Sequence, residues 1–230
     1  LLEKAITKKT KAIMPVHLTG RISEMNEINR IAKKYNIPVI EDAAQSIGSM
    51  YHNKPSGSLG DVGCFSAHPL KNLNAFGDAG YLTTNSKKIY EKVIELRNHG
   101  MANRNKIRNF GYVSRMDNLQ AAVLNYRLKN LKNIIEKRRK NINIYKEYLD
   151  QNNVFIPHEK NYQYNTYHTF VIQVDKRDQL KKYLQENKIQ TAIHYPIPIH
   201  LQPASKFLGY NKGSFKNTER QAKRILTLPI

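Results

Sequence analysis

Cysteine occurs once in the 230 residues, as Cys64. That excludes an internal disulfide framework and a cysteine-rich zinc site. No apolar run approaches the roughly 18–20 residues needed to span a bilayer, so an integral membrane protein is excluded. Residues 1–16 contain neither an apolar h-region nor a small-residue cleavage site, so no secretory signal is read there and a cytoplasmic protein is expected. Acidic residues are scarce: 18 Asp and Glu face 38 Lys and Arg, a formal net charge of +20. What is present in quantity is ordinary globular material, 40% hydrophobic and 24% charged. That balance excludes a disordered tail or a coiled-coil rod and is enough for a real core.

A charge of +20 raises a nucleic-acid or anionic partner as a class. The excess is spread, with +8 in the first 125 residues and +12 in the rest. The densest run, Lys137-Arg138-Arg139-Lys140, sits in a helical stretch and reads as a solvated face. No zinc-finger, RNP or helix-turn-helix pattern accompanies it. A basic nucleic-acid-binding protein is therefore kept as the alternative class, with nucleic acid not expected as a partner.

The first two-thirds of the chain alternates short β-type runs with helical patterns. Residues 12–17 read as a buried strand that Pro15 interrupts or ends. Ser23 is expected to cap a helix carrying Met25, Ile28, Ile31 and Ala32 at helical spacing. Residues 38–41 form the next strand, ending at Asp42; residues 62–66 form a third and 80–84 a fourth. Asn85 opens a helix to about Arg97. This alternation predicts an α/β domain with a largely parallel sheet. Residues 115–149 read as one long helix or two end to end, with Leu119, Ala122, Val123, Tyr126, Leu128, Leu131 and Ile134 as its apolar stripe. Beyond Asn153 the pattern becomes a smaller α+β unit. It has strands at 169–174 and 190–194, helices at 179–187 and 218–225, and a proline-rich loop through Pro196, Pro198 and Pro203. The domains are placed at 1–140, including the long connecting helix, and 141–230.

Three chemistry-bearing segments fall at predicted strand ends, where open α/β sheets place ligands. They are EDAAQS from Glu41, FSAHPLKNL from Phe65, and the tight turn AFGDAG from Ala75. An aspartate at a strand end followed by a lysine in a strand-end loop suits pyridoxal phosphate. A carboxylate can hold the pyridine nitrogen protonated, and a desolvated amine can form a Schiff base. The Asp–Lys spacing alone is weak in a lysine-rich chain.

The residues around that pair add to it. VIEDAAQSIGS (39–49), GDVGCFSAHPLKNLNAFGDAG (60–80), LRNHG (96–100), SRMDNLQAAVL (114–124) and HYPIPIHLQPA (194–204) occur in order. Together they resemble the DegT/DnrJ/EryC1/StrS family of PLP-dependent nucleotide-sugar aminotransferases. The resemblance covers essentially the whole chain. It implies an aspartate-aminotransferase-like fold (PLP fold type I), with a partial large domain and a smaller C-terminal domain. Lys71 would be the Schiff-base lysine and proton-transfer base, Asp42 the partner of the pyridine nitrogen, Gln45 a donor to the phenolic oxygen, and Ser66 a phosphate contact.

Other readings stay open at the level of residues. Asp42 could cap a following helix, Ser66 could be a plain strand end, and Lys71 a surface lysine. His17 and His68 could each be structural. His194 and His200 flank the loop where the family approaches its substrate, but a structural reading competes there too. No metal site is read. The chain is expected to be a fragment lacking segments at both ends, and Val113 stands where the family usually has an Asn reaching a neighbouring subunit.

By the same resemblance the reaction is transfer of an amino group from an amino acid, glutamate, to a nucleotide-linked keto-sugar. Such chemistry serves amino-sugar and polysaccharide (including lipopolysaccharide) biosynthesis, and the intact protein would be a homodimer. The turn Gly77-Asp78-Ala79-Gly80 leans to amination at C3 of a dTDP-sugar rather than C4.

Overall fold

Three short strands, buried on one face and open on the other, organise the first part of the chain. The computed structural model describes all 230 residues, Leu1–Ile230. Strands Ile40–Asp42, Val62–Ser66 and Gly80–Thr83 lie side by side in that order. The first two are parallel, with Asp42 opposite Cys64. The third returns antiparallel, with Ser66 opposite Gly80. Residues 12–17 join only through two isolated parallel bridges, Ile13 to Val39 and Val16 to Asp42. Pro15 has no N–H to contribute to a ladder, so the segment cannot pair as a continuous strand.

Side chains alternate across this sheet with the period of two that strands impose. Ile13, Val39, Ala43 and Phe65 are buried on one face, and His17 and Glu41 are buried with them. Met14, Ile40, Asp42, Cys64 and Ser66 line the other, more open face. Gly63 sits on the closed side because nothing larger fits: an added Cβ would come 2.3 Å from Gly57 Cα. The helix Met25–Tyr35 covers part of this side, joining Met25 and Ala32 to Ile13, Ile22, Val39 and Tyr51 in one apolar cluster. Its N-cap is Glu24 with no side-chain capping bond. Ser23, expected to cap it, instead donates its hydroxyl to the Val16 carbonyl at 3.2 Å. Ser86, one residue past the expected Asn85, caps the next helix, Lys87–Leu96, by accepting from the Ile89 N–H.

The long helical region is two helices, Asn118–Leu128 and Leu131–Tyr148. The expected stripe holds only in part: Leu131 is buried, but Leu119, Tyr126 and Leu128 are exposed, and Leu124 and Ile135, outside the stripe, are buried. Most of the misfit lies within the first helix, before the break at 129–130, where Leu124 is the residue packed against Ala67, Leu73 and Ala75. Arg138 and Arg139 also depart from a solvated face. Arg139 forms a two-pronged pair with Glu159 at 2.7 and 3.2 Å, and burial pushes the Arg138 guanidinium pKa down.

Packing divides the chain into two units, Leu1–Glu136 with Lys160–His168, and Lys137–Glu159 with Thr169–Ile230. The excursion 160–168 thus packs with the first unit, where the sequence reading put it in the second. Its Thr166 and Asn165 are buried, and the Thr166 N–H donates to the Gly20 carbonyl at 3.1 Å. The second unit is built on an antiparallel pair, Phe170–Gln173 with Ile225–Leu228. Ile142, Phe170, Ile172 and Leu226 are fully buried or nearly so within it. The buried Arg177 donates to the carbonyls of Ala222 and Ile225, where the helix Lys216–Arg224 ends. The expected strand at 190–194 reduces to one bridge, Ala192 to Thr227.

Candidate active site

Asp42 ends the strand Ile40–Asp42 on the open face. Its backbone is fixed from the neighbouring segment: its N–H donates to the Pro15 carbonyl at 2.9 Å, and its carbonyl accepts from the His17 N–H at 3.0 Å. One carboxylate oxygen accepts from the Ala44 N–H at 3.1 Å. Turns, not a helix, follow Asp42, so it caps no helix. An open pocket of about 210 Å³ holds Asp42 and Ser66 together with Met14, Ile40, Ala44, Cys64 and Phe65. Burial, and then the Asp42 charge, push the Cys64 thiol pKa up.

Lys71 lies in the loop between strands Val62–Ser66 and Gly80–Thr83. That loop is held by its own apolar residues: Ala67, Leu73 and Ala75 pack against Leu124, Leu131 and Ile135. The Lys71 N–H donates to the His68 carbonyl, and the Ala75 N–H to the Ala67 carbonyl, each at 2.9 Å. Burial lowers the Lys71 pKa and the Asp42 charge opposes the change; the net shift is downward. An amine so placed is easier to keep uncharged and nucleophilic. His68 stays partly exposed, 3.9 Å from the Asp78 carboxylate, and its Nδ1 accepts from the Leu70 N–H.

Gln45 is held by a residue the sequence reading passed over. Its Oε1 accepts from the Thr19 N–H at 2.8 Å. Thr19 is left-handed, at φ 64°, a conformation that costs a β-branched residue about 1–2 kcal/mol. The second overlooked residue is Glu41. It is fully buried, and its Oε2 takes the His17 Nε2 at 2.9 Å and the Gly57 N–H at 2.8 Å. Its Oε1 takes the Leu59 and Gly60 N–H groups at 2.7 and 2.6 Å. Burial raises the Glu41 pKa, but His17 and those three N–H groups more than offset it, and the net shift is downward. The Ser23 N–H donates to His17 Nδ1 at 3.3 Å, so His17 carries its proton on Nε2. A charged residue on the buried parity of an apolar strand was the signal available for Glu41. His17 is accordingly structural.

In the second unit, His194 Nδ1 lies 2.9 Å from the Thr227 hydroxyl. His200 is buried, with Nε2 3.0 Å from Glu219. The same Glu219 carboxylate accepts from the Gly213 and Phe215 N–H groups, and chiefly the Gly213 bond lowers its pKa. His200 is thus engaged, through Glu219, in holding residues 213–215 to the start of the helix Lys216–Arg224.

Among the described residues no cluster of three or more His, Cys, Asp or Glu side chains could hold a metal. No helix is long and apolar enough to cross a membrane. A carboxylate and a hydroxyl in one open pocket, with a desolvated amine within reach of that carboxylate's charge, suit an aldehyde cofactor bearing a basic ring nitrogen and a phosphate. Such a site on an α/β sheet is of the kind that the PLP fold-type I class of enzymes uses.

The model of the DegT/DnrJ/EryC1/StrS aminotransferase family matches residues 1–230, and the chain belongs to that family, whose members depend on pyridoxal phosphate. It is 41% identical over 232 residues to a pleiotropic regulatory protein of Geobacillus stearothermophilus. It is 42% identical over 229 residues to a dTDP-3-amino-3,6-dideoxy-α-D-galactopyranose transaminase of Aneurinibacillus thermoaerophilus. All of this chain and 62% of each relative are covered. The solved structure of S. venezuelae DesV in complex with a ketimine intermediate superposes with a TM-score of 0.96 at 34% identity, over all of this chain and 62% of that one.

Proposed function

We propose that the protein of which these residues form part transfers an amino group from an amino acid, glutamate, to a nucleotide-linked keto-sugar. The observation that carries this reading is Lys71, a partly desolvated amine in the loop after Ser66 and within the field of Asp42, its pKa lowered. Pyridoxal phosphate, when bound, supplies an electron sink that acidifies the donor's Cα–H. Asp42 would hold the proton of the ring nitrogen, Gln45 would donate its amide to the phenolic oxygen, and Ser66 would donate its hydroxyl to the phosphate. Lys71 would bond the cofactor's aldehyde carbon with loss of water and, once the donor's amino group has displaced it as a free amine, would carry a proton from the donor's Cα. His194, with only its Nδ1 engaged by Thr227, is the better of the two histidines for meeting a sugar; His200 is held by Glu219.

The acceptor is a 3-keto dTDP-sugar on this reading. The name of the Aneurinibacillus relative, a 3-amino-sugar transaminase, supports it, as does the Gly77-Asp78-Ala79-Gly80 turn. The intact protein works as a homodimer in the cytoplasm; the exposed Phe110, Tyr112, Val113 and Tyr126 offer apolar surface for a second subunit. The test incubates the full-length enzyme with glutamate and either 3-keto or 4-keto dTDP-sugar and identifies the aminated carbon. Amination at C3 is expected; turnover of the 4-keto sugar alone refutes the preference.

A further inference from the structure

The turn Thr19–Gly20 is gripped from three separate parts of the first unit. The Thr19 N–H donates to Gln45 Oε1, and the Thr19 carbonyl accepts from the His168 N–H at 2.9 Å. The Gly20 carbonyl accepts twice, from the Ser49 hydroxyl at 2.6 Å and from the Thr166 N–H at 3.1 Å. Ser49 and Thr166 are themselves joined, hydroxyl to hydroxyl, at 2.9 Å. Both turn residues are left-handed, Thr19 at φ 64° and Gly20 at φ 93°. Gly20 has no room for a side chain: a Cβ would lie 2.7 Å from Thr166 Oγ1 and 2.9 Å from the Tyr167 nitrogen. A strained conformation held by so many partners belongs to an element whose position matters.

The contact it makes decides which way the Gln45 amide faces. Thr19 N–H is a donor, so only the carbonyl oxygen of Gln45 can meet it. Its NH2 protons are then turned away from the turn. We infer that the Thr19–Gly20 turn, locked by Ser49 and Thr166, is a positioning element that fixes the Gln45 carboxamide with its NH2 group toward the cofactor. The inference rests on the proposed role of Gln45 as donor to the cofactor's phenolic oxygen. Without the turn the amide can flip and present an acceptor to another acceptor.

The test uses the full-length protein, with pyridoxal phosphate as the probe. Gly20→Ala forces the turn to move; Ser49→Ala removes one grip with little loss of volume. Cofactor binding should weaken about tenfold in the first and about threefold in the second, the range expected for one hydrogen bond. Each should also move the pH midpoint of the bound cofactor's absorbance in the direction that Gln45→Ala moves it. In a Gln45→Ala background neither should move that midpoint further, although each still lowers the melting temperature. In cofactor-free protein, Gln45→Ala should speed hydrogen exchange at the Thr19 amide at least tenfold. Variants that melt earlier but keep the wild-type midpoint overturn the inference, as do equal shifts with and without Gln45. Should Gly20→Ala not fold, Ser49→Ala decides. Wild-type protein that takes up no cofactor overturns the functional reading; an unchanged Thr19 exchange rate overturns the positioning contact whether or not cofactor binds.

Discussion

Glu41 and Asp42 are neighbouring carboxylates on one strand, facing opposite sides of the same sheet. Glu41 meets four hydrogen-bond donors and is fully buried. Asp42 meets one backbone N–H and opens into a pocket. The strand's two-residue period separates a carboxylate that holds the fold from one free to meet a ligand. Satisfied polar groups stabilise; a functional one must keep bonding capacity in reserve.

The largest expected effect is on Lys71, in the loop that follows Ser66. Lys71→Ala should abolish transamination, by at least about 10⁴-fold in kcat/KM. Its melting temperature should stay within about 2 °C of wild type, since a desolvated amine is removed rather than a packed anchor. A large stability loss would place Lys71 among the structural residues. Next comes Glu41→Ala, which leaves His17 and three N–H groups without an acceptor. Unfolding by urea should show a loss of about 3–5 kcal/mol. Asp42→Asn, by contrast, should stay within about 0.5 kcal/mol while weakening cofactor binding. Equal stability losses in these two variants would erase the distinction between the faces.

A smaller effect is the acid dependence of stability. Glu41 titrates lower in the folded chain than its ordinary 4.5, so its contribution is present above that pH. It is lost as pH falls through the folded value. Glu41→Gln should therefore flatten the stability–pH curve below about pH 4.5, read by thermal melts; an unchanged acid slope would count against an ionised Glu41. The smallest effect belongs to Cys64→Ser on the open face, where stability should change by less than about 0.5 kcal/mol.

The strand ends Asp42 and Ser66 were legible in the sequence because each closes a short local apolar run; Gln45 and Lys71 fall in the loops that follow. The strand Val62–Ser66 was placed to the residue for the same reason. The closed face was less so. Glu41 was read as part of a strand, and its partners His17, Gly57, Leu59 and Gly60 lie 16 to 24 residues away. Thr19 escaped because a backbone N–H has no signature in a side-chain pattern. The final strand, Ile225–Leu228, was hidden behind the preceding helix.

The return of residues 160–168 to the first unit has a consequence for how the protein is made. The turn that meets Gln45 is complete only when Thr166 and His168 have left the ribosome, nearly 150 residues after Thr19. During synthesis the Thr19–Gly20 turn must wait for that segment, and contacts so distant in sequence slow the closing of a fold. Chains arrested after the first long helix should therefore hold the Thr19–Gly20 turn loosely, and chaperone demand should peak while residues 137–159 are being added.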